Sequence, residues 1–455
     1  MSAAATDLLS KGYKAKLLTI LMMVCALNLT DRLLVPVLAE PIKLDLELSD
    51  TQLGLLTGLG FGLVYTALGL PVAWLADRFS RVKIVSAAVI VWSSMTAMTG
   101  MAGNFVQLLV LRAGVGVGEA GFLPPTASLL SDHFPANRRG AAMSIVQLGS
   151  PASTIIGGIL AAWIAAHWGW RTAFVAIGLP GILLGILALT FLREPPRGLV
   201  DGITEKAPTK PFWSVIRSLL AKRSFRHLMI GGSLAMLGLN SIGSFMTPFF
   251  MRVHGLELAQ AGTTFGIVQF VAAVAGLLAG GFGSDRLAAK DIRWRAWGPA
   301  IFLALASPFY LLAFSADSVV MSVAFILMAG ISFFIFFVPT ITITQNLVGA
   351  ESRATAVALY SLGVNLIGMG IGPTLVGLAS DLFAQSDFGT ADFIRACPGG
   401  VAPDGAVPAL GEACASAAAY GLQGALMLVA CVYLWAALHY YLVGRSLPQE
   451  SQAAG

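Results

Sequence analysis

The apolar residues of this chain are gathered into long runs that short polar stretches separate. Each run is about 20 residues or longer, the length that an α-helix needs to cross the hydrocarbon core of a bilayer. The twelve predicted spans are 17–39, 51–76, 84–103, 105–130, 140–166, 171–192, 226–251, 259–283, 296–315, 318–345, 354–383 and 418–443. Because these runs are far too long for barrel strands, the pattern predicts an all-α membrane protein.

The composition supports lipid as the main solvent of the chain. Its 455 residues are 57% hydrophobic and 11% charged, whereas soluble domains average about 25% charged residues. So few charges do not cover a globular surface. The first apolar run is long and is not followed by a convincing cleavage site, so we interpret it as a membrane helix and not as a signal peptide.

The basic residues lie mostly on one side of the predicted membrane. With a cytoplasmic N-terminus, 22 of the 28 Lys and Arg residues fall in cytoplasmic segments. This asymmetry is the positive-inside pattern and predicts a multi-pass protein of the plasma or inner membrane with both termini in the cytoplasm. It also accounts for the net charge of +5 without a nucleic-acid partner.

The chain is predicted to consist of two six-helix halves. A polar stretch at 193–224, containing Pro, Gly and mixed charges, separates an N-terminal half (1–192) from a C-terminal half (225–455) that ends in a cytoplasmic tail. We expect this linker to be cytoplasmic because it is rich in basic residues. Its second part has the pattern of a short amphipathic helix at the membrane surface.

The two halves contain similar motifs at similar spacing, which indicates an internal duplication. Asp77–Arg78 aligns with Asp285–Arg286 at an offset of 208 residues, and Arg139 aligns with Arg353 at an offset of 214. Repeats of this kind, with a substrate site near the midplane between the halves, suit a secondary transporter that works by alternating access.

In these repeats and in its motifs, the sequence resembles the major facilitator superfamily. The superfamily signature after the second helix is matched by 73-AWLADRFSRVK-83, although both of its glycines are replaced, by Ala73 and Ser80. Arg112, Gly116 and Gly118 match a second signature on the fourth helix. The antiporter signature on the fifth helix is incomplete in 149-GSPASTIIGG-158, where Ser153–Thr154 replaces Gly–Pro, and this weakens an antiporter assignment.

Within the superfamily the sequence resembles the Spinster family of lipid transporters. The stretches that carry this resemblance are 28-NLTDR-32 and 112-RAGVGVGEAGFLPPTASLLSDHFPANRRG-140. The anion:cation symporter family shares parts of both stretches and is the alternative. The distinction between the two families depends mainly on 118-GEAGFLPPTASLLSDHFP-135.

Four charged residues lie in the interiors of the predicted spans, where ionisable groups are costly and usually functional. They are Asp31 and Arg32 in the first span and Arg112 and Glu119 in the fourth. Arg112 and Glu119 are two helical turns apart, so they share one face. Because the resemblance implies that both helices line a central cavity, we expect the four charges to meet there and to sum to zero.

These four residues are the candidate proton-coupling site. Burial in an apolar cavity disfavours the charged form of an acid, whereas a neighbouring Arg favours it. Protonating Asp31 and Glu119 would change the charge of the cluster by +2, because Arg stays charged. The alternative is a neutral, purely structural set of ion pairs. The candidate substrate-binding residues are Asn28, Arg32, Arg112, Glu119, Phe122 and Asn240.

A second candidate site follows the second span, at Asp77, Arg78 and Arg81. The resemblance implies that this acid pairs with cytoplasmic helix ends of the other half and stabilises an outward-open state. Arg81 and Arg139 are the expected basic partners. The alternative is ordinary anchoring at the cytoplasmic surface, which suffices for Arg78.

The remaining motifs predict one disulfide and no cofactor. Cys397 and Cys414 lie in the long loop before the last span, on the predicted oxidising side, so we expect a disulfide; two free thiols are the alternative. The five His residues lack a metal-ligand spacing, and no phosphate-binding loop follows a strand. We expect no metal, no ATP-driven step and no enzymatic activity.

Together these features predict a monomeric transporter that uses the proton gradient and needs no cofactor. The charged residues on one side and a Phe-rich wall on the other suit a substrate with a polar head and an apolar tail. The Spinster resemblance implies a lysophospholipid or a sphingosine-phosphate-like lipid. The alternatives are symport of a small organic anion of the sugar-acid type, or a receptor or scaffold of transporter ancestry.

Overall fold

The computed structural model describes residues 10–196, 199–200, 212–348, 353–389 and 392–452 of the chain. Within them all regular secondary structure is helical, and eleven helices are long and apolar enough to cross a membrane. One of these, Ala141–Phe191, contains two of the predicted spans. The backbone breaks between them at Gly169, where φ is +83°. The protein is thus an all-α membrane protein, and the twelve predicted spans are accounted for.

The first part of the chain forms ten α-helices. They are α1 (Lys11–Val37), α2 (Ala39–Asp45), α3 (Asp50–Thr57), α4 (Leu59–Arg78), α5 (Arg81–Thr99), α6 (Phe105–Glu119), α7 (Leu123–His133), α8 (Ala136–Gln147), α9 (Gly149–Thr154) and α10 (Ala161–Phe191). A π-helical segment, Ile155–Leu160, joins α9 to α10.

The second part begins with the amphipathic helix that the linker sequence predicts. Its helices are α11 (Phe212–Ala221), α12 (Arg223–Arg252), α13 (Leu258–Ala288), α14 (Trp294–Ser315), α15 (Val319–Phe334), α16 (Phe337–Asn346), α17 (Arg353–Asn365), α18 (Gly372–Phe388), α19 (Phe393–Ala396), α20 (Pro408–Ala430) and α21 (Val432–Gln452). A second π-helical segment, Leu366–Ile371, joins α17 to α18.

The contacts divide the chain into two compact units that differ slightly from the two sequence halves. Unit 1 comprises Met1–Ile42, Gly60–Lys206 and Leu258–Gly266, and unit 2 comprises Lys43–Leu59, Ala207–Glu257 and Ile267–Gly455. Each unit therefore includes one short segment from the other half of the sequence. The segment 43–59, which contains α3, belongs to unit 2.

Interruptions of the long helices recur at equivalent places in the two sequence halves. The predicted span 105–130 is divided, since α6 ends at Glu119 and α7 begins at Leu123. The span 318–345 is divided in the same way between α15 and α16. Proline explains both breaks, because Pro124 and Pro125 open α7 and Pro339 lies in the first turn of α16, where its missing N–H is tolerated. The two π-helical segments also correspond, so the internal repeat extends to local backbone geometry.

Glycines bring the helices around the charged residues of unit 1 into close contact. A Cβ added at Gly118 of α6 would lie 2.7 Å from the Cβ of Trp92 on α5. A Cβ added at Gly178 of α10 would lie 2.6 Å from the backbone N of Ala97 on the other side of α5. Such small-residue crossings allow close backbone approach between membrane helices. They fix α5 between α6 and α10, and so they position Thr96 and Glu119.

A glycine face on α12 has the same role in unit 2, where it receives tyrosine rings. A Cβ at Gly232 would lie 2.1 Å from the hydroxyl oxygen of Tyr360, and one at Gly238 would lie 2.5 Å from the ring of Tyr433. Tyr433 is fully buried and stacks on Tyr310, with ring centroids 5.7 Å apart. The core of unit 2 is therefore built from large aromatic side chains against small residues.

We predict that Gly118→Ala destabilises the protein by about 1–3 kcal/mol, because the added methyl group overlaps atoms of the α5 backbone that have no space to move. Gly69→Ala is the matched control, since a Cβ at Gly69 of α4 has no heavy atom within 4 Å. The unfolding midpoints of the two purified variants provide the measurement. Equal midpoints would contradict the close α5–α6 packing.

Candidate functional site

The charged residues of the first and fourth predicted spans meet inside unit 1. Arg32 Nε lies 2.6 Å from Glu119 Oε2 and donates a hydrogen bond to it. Arg112 Nη1 lies 3.7 Å from Asp31 Oδ1, an ion-pair distance that is too long for a hydrogen bond. Thr96 of α5 donates its hydroxyl proton to the second carboxylate oxygen of Asp31. We call Asp31, Arg32, Arg112 and Glu119 the charged quartet.

The quartet is deeply buried and contacts aromatic rings. Asp31, Arg112 and Glu119 are each at most 2% exposed, whereas 22% of the Arg32 side chain is accessible. The Phe61 ring lies near both guanidinium groups, with its centroid 5.3 Å from Cζ of Arg32 and 5.2 Å from Cζ of Arg112. Tyr65 lies closer to Arg32, at 4.6 Å. Cation–π contacts of this kind stabilise a guanidinium in a poorly hydrated site.

Several buried polar atoms of the quartet have no hydrogen-bond partner among the described residues. They are Nε and Nη1 of Arg112 and Oδ1 of Asp31, whereas the side chain of the neighbouring Asn28 interacts with the Glu119 carboxylate. Burying such groups unpaired costs roughly 1–3 kcal/mol each, and more when they are charged. The quartet is therefore neutral in charge but incomplete in hydrogen bonding. An arrangement of this kind can accept a proton, water or a polar head group.

Local backbone geometry explains how these side chains converge. Asn28, Asp31 and Arg32 share one face of α1, and the seven-residue spacing of Arg112 and Glu119 places both on one face of α6. Glu119 is the last residue of α6, since the chain turns through Ala120–Phe122 before the two prolines of α7. The acid therefore lies at a helix break, a common location for binding groups in transporters.

The two remaining substrate candidates lie in different units. Phe122 is buried in unit 1, where its ring meets that of Trp92 edge to face with centroids 6.3 Å apart. Asn240 lies in unit 2 and donates from Nδ2 to the backbone oxygen of Met236 at 2.8 Å.

Unit 2 contains an apolar pocket with a few polar groups. The pocket has a volume of about 100 Å³ and is partly open. It is lined by Met236, Phe336, Phe337, Thr340, Ile341, Tyr360, Ser361, Val364 and Asn365. Phe336 and Phe337 come from the break between α15 and α16, so the same interruption that divides the predicted span places two rings in the wall. The lining is suited to an alkyl chain.

The second predicted site, after α4, is organised around Arg81. This residue is 1% exposed. Its guanidinium donates to the carboxylate of Asp132, to Glu194 Oε1 at 2.7 Å and to the backbone oxygen of Pro195 at 3.1 Å. From the sequence, Arg81 is predicted to be one of the basic partners at the cytoplasmic gate. In the structure its charge is engaged within unit 1.

The other gate candidates have different environments. The side chain of Asp77 lies outside the part of the chain that the structure describes, so its gating role stays a prediction. Arg78 is exposed and stacks over the ring of Trp74, with Cζ 3.8 Å from the centroid. Arg139 donates to the backbone oxygens of Phe134 and Ser131 at 3.0 and 2.8 Å, and so satisfies carbonyl groups at the end of α7.

Glu194 completes the Arg81 cluster and caps α5. Its Oε2 accepts from Ser80 Oγ at 2.9 Å and from the backbone N of Val82 at 3.0 Å. Partial burial opposes ionisation of this carboxyl, but the hydrogen bonds from Val82, Arg81 and Ser80 outweigh it, so the pKa of Glu194 is lowered. Glu194 therefore keeps its charge at neutral pH.

Sequence reasoning missed several residues of both sites. Thr96, Phe61 and Tyr65 do not stand out in the sequence, because Thr and aromatic residues are common in membrane helices. Asp132 and Glu194 lie at the ends of spans, where charges are expected in any case.

Cys397 and Cys414 are joined by a disulfide, with their Cα atoms 5.7 Å apart.

The fold and the buried charges define a polytopic helical transporter. A family model described as the Major Facilitator Superfamily matches residues 20–373. The chain belongs to this superfamily, and it is a transporter and not an enzyme.

A solved structure and a curated relative are similar to most of this chain. A bacterial homologue of the human lysosomal transporter Spinster, crystallised in an inward-facing, occupied conformation, shares 32% identity and superposes with a TM-score of 0.87, covering 97% of this chain and 99% of its own. An "MFS-type efflux pump" of Mycolicibacterium smegmatis is 34% identical over 80% of this chain and 83% of its own length. The Spinster resemblance predicted from the sequence is confirmed.

More distant relatives include transporters of two substrate classes. A "Probable galactarate/D-glucarate transporter" of Bacillus subtilis is 27% identical, covering 59% of this chain and 64% of its own. A "Sphingosine-1-phosphate transporter" of Danio rerio is 26% identical, covering 79% of this chain and 75% of its own. The names of the relatives therefore leave both a lipid and a sugar acid as candidate substrates.

We predict that Arg81→Met destabilises the protein by about 3 kcal/mol, because it leaves the Asp132 and Glu194 carboxylates without their shared cation. Arg78→Met is the matched control, since this exposed residue contributes no more than about 1 kcal/mol through its contact with Trp74. Chemical unfolding of both variants provides the comparison. A smaller loss for Arg81→Met than for Arg78→Met would exclude a central role of Arg81 in this cluster.

Proposed function

We propose that this protein is a proton-coupled secondary transporter that moves an amphipathic lipid, of the lysophospholipid or sphingosine-phosphate type, by alternating access. The observation that carries the proposal is the charged quartet with its incomplete hydrogen bonding. A purely structural ion cluster in a membrane protein would gain from pairing every buried donor and acceptor. In this cluster Nε and Nη1 of the buried cation Arg112 make no hydrogen bond with the described residues.

Proton coupling follows from the composition of the quartet. Asp31 and Glu119 are its only titratable acids, and each faces an Arg that keeps its charge. Protonation of Glu119 would weaken its hydrogen bond with Arg32, and protonation of Asp31 would remove the charge opposite Arg112. Either change would release a guanidinium to bind an anionic head group. Proton binding and substrate binding would then be linked through the same atoms.

The lipid assignment is supported by features of each unit considered separately. Unit 1 offers two guanidinium groups, which suit a phosphate. Unit 2 offers the pocket lined by Phe336, Phe337 and Met236, which suits an alkyl chain. The resemblance to Spinster homologues favours the same substrate class. We further propose a monomer in the plasma or inner membrane, with cytoplasmic termini and no cofactor.

The alternative is symport of a small organic anion of the sugar-acid type. The relative named as a galactarate/D-glucarate transporter favours this alternative, as do the two Arg residues of the quartet. A sugar acid, however, would gain little from the aromatic pocket of unit 2. Differences in binding between long-chain and short-chain ligands therefore discriminate between the two substrates.

We predict that Asp31→Asn and Glu119→Gln each reduce the pH-dependent change of conformation, and that the double variant abolishes it. In the wild-type protein, lowering the pH from 8 to 5.5 is expected to change the ratio of conformers at least tenfold, or about 1.4 kcal/mol. Distances between labels at the two ends of the protein in lipid nanodiscs provide the measurement. Both substitutions keep the shape of the side chain while removing its titration.

The control for this experiment is Asp392→Asn. Asp392 is an exposed acid, paired with Arg395 at 3.4 Å, that lies far along the chain from the quartet. It should leave the pH response unchanged. If the double variant responds to pH like the wild type, proton coupling through these two acids is wrong.

We predict that Ser361→Phe weakens binding of long-chain lysophospholipids more than that of short-chain ones, because the ring fills the pocket of unit 2. Each methylene that is excluded should cost about 0.8 kcal/mol. Ser386→Phe is the matched control, since Ser386 is exposed near the end of α18. Thermal stabilisation by a chain-length series, with glucarate as the small-anion probe, gives the readout. Stabilisation by glucarate alone would favour the sugar-acid alternative.

A further inference from the structure

Unit 2 contains a further buried charge network, separate from the quartet and from the Arg81 cluster. Its centre is Asp50, the first residue of α3, which is 2% exposed. Asp50 accepts hydrogen bonds from Lys43 Nζ at 2.8 Å, from both terminal nitrogens of Arg252 at 2.8 and 2.9 Å, and from Ser380 Oγ at 2.6 Å. We call these residues, together with Asp381, the Asp50 network.

Asp381 joins the network by capping the helix that Asp50 begins. Its two carboxylate oxygens accept from the backbone nitrogens of Asp50 and Thr51 at 3.0 and 2.8 Å, and from the Thr51 hydroxyl at 2.6 Å. An acid at a helix N-terminus satisfies free N–H groups and interacts favourably with the helix dipole. Two acids and two cations thus form a neutral set, and each carboxylate has several donors.

The network connects parts of the chain that are far apart in sequence. Lys43 and Asp50 precede α4, whereas Arg252 ends α12 and Asp381 lies on α18. Close backbone packing strengthens the connection, because a Cβ added at Gly377 would lie 2.1 Å from the backbone oxygen of Asp50. This contact explains why the segment 43–59 belongs to unit 2 although the sequence places it in the first half.

A loop closed by a disulfide lies against Lys43. The bond between Cys397 and Cys414 brings together the start and the end of this loop, and both cysteines belong to a buried cluster with Phe393, Ala417 and Ala418. Residues 397–414 are called the tied loop here.

The tied loop contacts Lys43 through a glycine pair that follows Cys397. Gly399 and Gly400 have φ of +66° and +84°, a conformation that favours glycine. A Cβ added at Gly400 would lie 3.0 Å from Lys43 Nζ, and one at Gly399 would lie 3.2 Å from the Lys43 carbonyl oxygen. The backbone of the tied loop therefore covers the ammonium group that binds Asp50.

Burial of Lys43 makes its pairing with Asp50 stronger and more dependent on the loop. Lys43 is 2% exposed. An ion pair in water contributes little, whereas one shielded from water has a larger Coulomb energy and a larger penalty if it is broken. If the tied loop moved away, water would reach the ammonium group and the pair would weaken. The Asp50 network would then lose part of its hold on α3.

We propose that the Asp50 network fastens the segment 43–59 in one conformational state, and that the tied loop determines the strength of this fastening by covering Lys43. This inference rests on the alternating access of the proposed function. Lys43, Asp50 and the cysteines act as positioning residues and not as substrate ligands. By the charge distribution of the sequence, the network lies on the non-cytoplasmic side.

The test measures the conformational equilibrium of the full-length protein in lipid nanodiscs at a fixed pH. Distance labels are attached through unnatural amino acids near the non-cytoplasmic ends of the helices, so that no cysteine is altered for labelling. The Cys397→Ser/Cys414→Ser variant and Lys43→Met are each expected to lower the population of the fastened state about tenfold. Cys431→Ser is the matched control, since Cys431 is an exposed free thiol.

The combination of variants distinguishes a positioning role from simple destabilisation. If the tied loop acts through Lys43, adding Lys43→Met to the cysteine variant should change the equilibrium much less than Lys43→Met does in the wild type, because the pair is already weakened. Lys43→Arg should largely restore the fastened state. Additive effects, or an unchanged equilibrium in the cysteine variant, would overturn the proposal. Unfolding midpoints measured alongside identify any variant that has lost its fold.

The result is separable from that of the proposed function. The measurement uses neither a lipid ligand nor a change of pH, so it does not depend on the substrate class or on the quartet. Loss of pH response in the quartet variants together with an intact response to Lys43→Met would support both ideas. A quartet variant without effect, combined with a clear effect of Lys43→Met, would remove proton coupling and leave the Asp50 network in place.

Discussion

The high cost of placing charges in a low-dielectric interior shapes this protein more than any other constraint. An isolated buried ion costs several kcal/mol even after relaxation, so each buried charge needs a partner. The described residues meet this requirement with three separate clusters, centred on Asp31 and Arg112, on Arg81, and on Asp50. The helices are arranged so that acids and bases from distant parts of the sequence meet. Glycine crossings at Gly118 and Gly178 make the approach possible in unit 1.

The three clusters differ in how completely their hydrogen bonds are satisfied, and this difference separates their roles. Both oxygens of Asp50 are paired, and Arg81 donates to two acids and a carbonyl group. The quartet, in contrast, is held by the hydrogen bonds of Arg32 to Glu119 and of Thr96 to Asp31 and by one longer ion pair, and it leaves buried donors of Arg112 without a hydrogen bond among the described residues. Fully satisfied networks stabilise one arrangement, whereas an incompletely satisfied one retains capacity to bind. This contrast, more than the mere presence of charges, makes the quartet the candidate transport site.

The sequence alone predicted the spans and the quartet, because both are recognised by the contrast between apolar and charged residues along the chain. Asp31 and Arg112 are conspicuous in apolar runs, and seven-residue spacing fixes their neighbours on a helix face. The position of the helix break directly after Glu119 was not predicted, although Pro124 and Pro125 mark an interruption within that span. Thr96 was missed because a Thr hydroxyl in a helix commonly bonds to the backbone of its own helix, and the Thr96 hydroxyl also lies 2.9 Å from the Trp92 backbone oxygen. Lys43 and Asp50 look like ordinary flanking charges until the fold brings Arg252 and Asp381 to them.

The breaks in the helices link the internal repeat of the chain to the positions of its candidate binding residues. An unbroken α6 would continue past Glu119 with its backbone groups bonded within the helix, and the acid would be one of many residues on a regular face. The prolines of α7 end that regularity directly after the acid, so Glu119 sits where the backbone changes direction. The equivalent break between α15 and α16 presents Phe336 and Phe337 to a pocket. Duplication thus supplied two equivalent interruptions, and divergence placed charge at one of them and aromatic rings at the other, which are the two chemistries that the proposed amphipathic substrate requires.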